Sequence, residues 1–220
     1  MQDFVRARRN MIDGQLRPNS VIDAAILAAF LETPREAFLP DALQAMAYAD
    51  ENLPVAGGRS ILAPLVLGRL LQAAGPRTTD RVLLVGAATG YGCAIVSPLV
   101  REIVGLEASA DLAAEARRNL AAARVGNVTI ASGPFQDGWK AKAPYDLILV
   151  EGAMADVPDA LSDQLSPEGR LVGVVATAAR RGVARLYLKA AGSLSGRPLF
   201  DAAAPLLPDL ERRAAFEFAH

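Results

Sequence analysis

Five short bursts of β-type residues, at 81–85, 102–106, 128–131, 147–150 and 170–175, recur along the chain from residue 81 onward. Helical stretches at 91–99, 110–124 and 159–165 lie between them. The first three bursts lack the polar alternation of a half-exposed strand, so they read as strands covered on both faces. Strands that alternate with helices pair in parallel through right-handed crossovers. The expected fold is therefore α/β, a doubly wound and mostly parallel sheet.

The flanks are less regular. From residue 4 to about 50 the apolar positions, among them Leu27, Leu31, Phe38 and Leu39, recur near a helical period. A loop with Pro54, Gly57 and Gly58 follows. Pro64 then opens a helix that Gly75-Pro76 ends. Residues 1–76 are expected to form a helical extension packed on an α/β domain at 77–220, the two making one globular unit. Segments 183–190 and 198–203 read as an antiparallel pair closing one edge of the sheet.

The 23 Lys and Arg against 24 Asp and Glu give a net charge of −1, without the basic excess of a nucleic-acid or membrane-surface binder. With 5% aromatic residues a base-stacking platform is also disfavoured. One cysteine, Cys93, and one histidine, the terminal His220, exclude an internal disulfide, a Ser-His-Asp triad and a multi-cysteine or multi-histidine metal site, so no metal is expected. Residues 82–100 carry no charge, but Gly86, Gly90, Gly92 and Pro98 break the run, which reads as strand and turn rather than membrane span. The basic start at Arg6, Arg8 and Arg9 is followed by no apolar stretch, so no secretory signal is expected and a cytoplasmic location is.

In a doubly wound sheet, ligands collect beyond the carboxyl ends of the strands. The loop Gly86-Ala87-Ala88-Thr89-Gly90-Tyr91-Gly92 follows the first burst. Its glycines permit a tight turn and close backbone approach. The dinucleotide pattern is not met, because Ala88 and Tyr91 stand where two of its glycines belong. Glu107 closes the second burst, where an acid accepts hydrogen bonds from nucleoside ribose hydroxyls. Loop and acid together favour an adenosyl ligand.

Five ordered stretches carry a resemblance: Thr33-Pro34-Arg35-Glu36-Ala37-Phe38, Ala47-Tyr48-Ala49-Asp50, Ser60-Ile61-Leu62-Ala63-Pro64, Val82-Leu83-Leu84-Val85-Gly86-Ala87-Ala88-Thr89-Gly90-Tyr91, and Val157-Pro158 with Gln164-Leu165. From about residue 10 to residue 175 the chain resembles the protein-L-isoaspartate O-methyltransferase family. The resemblance implies a Rossmann-like sheet and S-adenosyl-L-methionine as cofactor. It implies methyl transfer to the free carboxylate of isoaspartyl residues, with damaged proteins or peptides as partners. It implies that Gly86, Ala88, Gly90, Tyr91, Glu107 and Phe135 line the cofactor. Its Thr-Ile-Ser motif falls on residues 60–62, so Ser60 and Leu62 hold the catalytic positions, with Leu62 where the family's serine hydroxyl helps hold the substrate carboxylate.

Other departures from the family pattern are Leu84 for an acid, Ala88 for glycine, and Gly133-Pro134-Phe135 for Gly-Asp-Gly. Ser60 either replaces the missing hydroxyl or caps the helix at Pro64. Phe135 either packs on adenine or fills the core. Cys93 is either a core residue or a thiol made acidic by the helix it begins. Two alternatives follow: a degenerate member of the fold that binds a partner, or a methyltransferase with a different acceptor.

Overall fold

The computed structural model describes residues 3–178 and 181–211. In chain order the helices are α1 (Phe4–Met11), α2 (Ala24–Glu32), α3 (Pro64–Ala74), α4 (Tyr91–Val96), α5 (Ala110–Ala122) and α6 (Asp159–Asp163). A two-stranded ribbon, β1 (Leu53–Pro54) and β2 (Ser60–Ile61), precedes α3. The main strands are β3 (Arg81–Val85), β4 (Glu102–Glu107), β5 (Val128–Ser132), β6 (Tyr145–Met154), β7 (Leu165–Ala178), β8 (Arg181–Ala190) and β9 (Ser193–Ala202).

These seven strands form one sheet in the order β5-β4-β3-β6-β7-β8-β9. The first five run parallel, and β8 and β9 add an antiparallel edge. The chain moves outward from β3 through β4 to β5, then returns to lay β6 on the other side of β3. The strand order therefore reverses between β3 and β6, the place beyond whose carboxyl ends sheets of this kind take their ligands.

Alternating side chains of β3 divide the core. Val82 and Leu84 face one layer with α3, α4 and the N-terminal helices. Leu83 and Val85 face a second layer with Phe135, Leu161 and Leu207. Residues on both faces are fully buried, which is why the bursts carried no polar alternation.

The N-terminal segment is held by a polar cluster under the helices. Arg8 donates to the Tyr48 hydroxyl at 2.7 Å, to the Leu31 carbonyl at 2.9 Å and to Glu36 at 3.2 Å. The Tyr48 hydroxyl donates to Glu36 and accepts from the Arg35 N–H at 3.3 Å. Burial pushes the Tyr48 phenol well above its usual range, so it stays a donor.

The helical reading of residues 4–50 holds in kind, but the segment is broken. A π-turn at Ile12–Leu16 and 3-10 turns at Arg35–Phe38 and Asp41–Met46 separate its pieces. The strands β6 and β7 outrun the bursts that signalled them, because pairing continues between Tyr145 and Leu165 at one end and between Met154 and Val175 at the other. His220 and Arg180 lie outside the described residues. No helix among the described residues is long and apolar enough to cross a membrane.

Candidate active site

The loop after β3 turns sharply into α4. Gly86 has φ +91° and Gly90 φ +96°, a conformation glycine adopts without strain. Ala88 has φ +47°, so its Cβ sits where glycine would be relaxed, at a cost of about 1–2 kcal/mol. The turn is held from both sides. The Ala88 N–H donates to Glu107 Oε2 at 2.7 Å, and the Thr89 hydroxyl donates to the Phe38 carbonyl at 2.7 Å.

Glu107 is fully buried at the end of β4. Besides the Ala88 bond, its Oε1 accepts from the Ser109 N–H at 3.2 Å and lies 3.4 Å from Arg59 Nε. Arg59 was not foreseen. It arrives from the loop before β2, is 3% exposed, and carries its guanidinium 5.0 Å from the Phe135 ring centroid. A Cβ added to Gly86 would stand 2.7 Å from Arg59 Nη2. Arg59 therefore fills the space bounded by Gly86, Glu107 and Phe135, three of the residues expected to line the cofactor. Of the two roles weighed for Phe135, the core one is observed: it is fully buried in the second core layer, with the Arg59 guanidinium over its ring face.

A second group of charges lies on the other side of the switch. Glu151, on β6, is 4% exposed, and its carboxylate occupies the space a side chain at Gly92 would take, 2.2 Å from an added Cβ. Arg35 is fully buried with its guanidinium 4.8 Å from the Tyr91 ring centroid. Among the described residues, Glu151 Oε1, the Tyr91 hydroxyl, Nε and Nη1 of Arg35 and Nη2 of Arg59 find no partner at hydrogen-bond geometry, although the Arg35 guanidinium bears on the Tyr91 hydroxyl. Burial pushes the Glu151 carboxyl up to about 8, although the positive charges of Arg35 and then Arg59 oppose the rise. Burial likewise pushes Tyr91 up to about 12.

A carboxyl whose folded value, about 8, lies above the ordinary 4.5 keeps its proton in the native state longer than in the unfolded chain. Its relative contribution to stability is full below about pH 4.5 and is lost as pH rises to about 8. Glu151→Gln removes this dependence. The variant is expected to gain a few kcal/mol on the parent between pH 5 and pH 8, at about 1.4 kcal/mol per unit. Denaturation midpoints at the two pH values test this, and parallel behaviour of the two proteins would refute it.

The two catalytic positions part company. Leu62 is fully buried in the larger core layer and offers no donor. Ser60 is half-buried on β2 and lines a cleft of about 670 Å³ whose walls include Asp50, Glu51, Asn52 and Pro205. Helix capping by Ser60 is not observed. α3 has no side-chain cap at its N-cap residue Ala63; Asn52 Oδ1 accepts from the Ala63 N–H at 2.8 Å and Asp50 Oδ1 from the Leu65 N–H at 3.0 Å. The acidic-thiol reading of Cys93 is also overturned, since complete burial pushes that thiol up.

The segment after β9 covers the crevice. The Ala153 N–H donates to the Pro205 carbonyl at 2.7 Å and the Leu207 N–H to the Ala153 carbonyl at 2.9 Å. Fully buried Leu207 then lies against Gly86 and Gly152.

A mostly parallel sheet that reverses between β3 and β6 and ends in the antiparallel β8 and β9 matches the Rossmann-like fold of S-adenosylmethionine-dependent α/β methyltransferases. The chain belongs to the protein-L-isoaspartate(D-aspartate) O-methyltransferase family, whose model matches residues 6–202. It is 41% identical over 170 residues to the protein-L-isoaspartate O-methyltransferase of Methylorubrum extorquens, covering 77% of this chain and 74% of the relative. The enzyme of the same description from Methanoregula boonei is 39% identical over 165 residues, 75% of this chain and 76% of its own. A solved protein-L-isoaspartate O-methyltransferase superposes with TM-score 0.81 at 27% identity, over 93% of this chain and 67% of that one. A Plasmodium falciparum protein assigned to the same family, solved in complex with S-adenosyl-L-homocysteine, shares the fold with TM-score 0.78 at 18% identity, over 94% of this chain and 99% of its own.

Proposed function

We propose that the protein transfers the methyl group of S-adenosylmethionine to the free carboxylate of L-isoaspartyl residues in proteins and peptides. The observation that carries this reading is the crevice at the strand-order reversal, where the glycine turn and Glu107 converge in a chain of this family.

The donor supplies a methyl group made electrophilic by a positively charged sulfur. The residues at hand suit such a ligand. Gly86 offers close backbone approach, Glu107 offers acceptor oxygens for ribose hydroxyls, and the orphaned polar atoms of Tyr91, Arg35 and Glu151 lie buried beside the turn. The nucleoside half needs the volume that Arg59 fills, so Arg59 must leave as the donor enters. Gly86, Ala88, Gly90, Tyr91, Glu107 and Phe135 are the cofactor-side residues of this reading.

An isoaspartyl carboxylate is ionised at neutral pH, so no side chain has to remove a proton before attack. What the protein contributes is alignment and a dry enclosure. The buried turn residues Ala87, Thr89 and Tyr91 and the Leu207 strap provide that enclosure. Residues 1–76 supply the acceptor-side cleft and the described residues from 77 onward most of the cofactor side of one unit. Ser60 lines the open cleft next in sequence to Arg59 and is the hydroxyl available to an acceptor, whereas Leu62 acts only by packing.

The test is transfer of labelled methyl from S-adenosylmethionine to an isoaspartyl peptide, with the aspartyl isomer as control. Methylation of the isoaspartyl form alone is expected; equal labelling of both, or of neither, overturns the assignment of acceptor. Ser60→Ala is expected to lower kcat/KM for the isoaspartyl peptide by about tenfold, the scale of one hydrogen bond to a charged group, without altering S-adenosylhomocysteine affinity. An unchanged kcat/KM would remove Ser60 from the acceptor site.

A further inference from the structure

Glu151, beside Gly92, and Arg35, over the Tyr91 ring, are an acid and a base buried at the first turn of α4, and among the described residues neither finishes its hydrogen bonding. Glu151 is 4% exposed and Arg35 is fully buried. Among the described residues, Oε1 of the first and both Nε and Nη1 of the second find no partner at hydrogen-bond geometry. Among the positive charges acting on Glu151, Arg35 is the strongest, ahead of Arg59. Buried polar groups left open in this way mark either a strain or a place for a ligand that completes them.

Their position argues for a ligand. Glu151 stands on β6 beside the reversal of strand order, and its main-chain carbonyl is 3.0 Å from a Cβ added to Gly86. The nucleoside volume, between Gly86, Glu107 and Phe135, lies on the β4 side of the same turn. A ligand running from there across β3 reaches Glu151 next. Gly92 is what makes room for the carboxylate, because any side chain at that position would occupy the same space. Arg35 is held in place by the Tyr91 ring under its guanidinium and by the Tyr48 hydroxyl at its backbone N–H.

A buried acid and a buried base close enough to act on one another are complementary to a zwitterion. We propose that Glu151 and Arg35 bind the α-amino acid end of the methyl donor, Glu151 accepting from its ammonium and Arg35 donating to its carboxylate. This rests on the methyltransferase reading above and names residues for the half of the donor that Glu107 and Phe135 do not reach. The neutral, protonated state that burial favours for Glu151 gives way to the ionised one when an ammonium arrives.

Calorimetric titration of the full chain with two thioether nucleosides separates the halves of the ligand. S-adenosylhomocysteine carries the amino acid end, and 5′-methylthioadenosine lacks it. The parent protein is expected to bind the first more tightly than the second. Glu151→Gln, which keeps the shape and removes the charge, is expected to weaken S-adenosylhomocysteine by about tenfold to a hundredfold and leave 5′-methylthioadenosine within twofold. Arg35→Lys is expected to act in the same direction, and its thermal melt checks that the variant is folded. Equal losses for both ligands, or no loss for either in Glu151→Gln, overturn the subsite while leaving the methyltransferase reading intact. If the parent binds neither ligand, both fall together.

Discussion

Arg59→Ala is expected to bind S-adenosylhomocysteine about tenfold or more tightly than the parent, while its free form loses about 3 kcal/mol of stability. The two effects have one origin. In the free protein Arg59 neutralises Glu107 at 3.4 Å and lies on Phe135, and both groups are out of water. Removing one partner of a buried ion pair leaves an uncompensated charge, at a typical cost of about 3–5 kcal/mol. Water entering the vacated volume places the effect at the lower end. For the ligand the sign reverses, because in the parent part of its binding energy is consumed in moving Arg59 out of the crevice. Denaturant titration and calorimetry on the same preparations measure both. A variant that binds more weakly than the parent would show Arg59 to be a ligand contact and not a side chain the ligand displaces.

Glu107→Ala is the larger lesion. It is expected to cost about 4 kcal/mol of stability and to bring S-adenosylhomocysteine binding below detection, a loss of a hundredfold or more. The carboxylate accepts from the Ala88 and Ser109 N–H groups and faces Arg59. Its removal strands a guanidinium and frees the N–H that holds Ala88 in its positive-φ turn. The ligand loses its ribose acceptors and a preformed loop together. Glu107→Gln separates the two causes, since its carbonyl still accepts from Ala88 while the charge is gone. The loop then persists, and any remaining loss belongs to the charge. Binding by Glu107→Ala at the parent's affinity would place the nucleoside elsewhere.

The fold was legible because its signal is repetitive. Bursts such as Val82-Leu83-Leu84-Val85 are apolar on both faces for the plain reason that helices or loops cover both faces. The antiparallel edge was legible as two short segments late in the chain, and in β8 burial alternates, with Gly182, Ala184 and Leu186 buried between more exposed neighbours. The glycine turn and Glu107 were legible because a strand end followed by glycine leaves few conformations.

What escaped the sequence is the charge inside. Nothing in the sequence marks Arg35 or Arg59 as buried, since arginine is rarely inside and neither lies in a periodic pattern. Their partners, Tyr91, Phe135, Glu107 and Glu151, stand 48 to 116 residues away, and only the closed sheet brings them together. The cap of α3 was missed for a related reason: Asn52 and Asp50 reach it from the loop before β1, where no local spacing rule looks. Leu62 is buried and committed to packing, which leaves Ser60 as the polar group of that motif lining the cleft.

The central claim is that the crevice now filled by Arg59 is the donor's site, with Glu107 as its anchor. Calorimetric titration of the parent and of Glu107→Ala with S-adenosylhomocysteine tests it most directly. Saturable binding of one ligand per chain in the parent, absent from the folded variant, is the predicted result. No heat from folded parent protein, or the same isotherm from both, would contradict it.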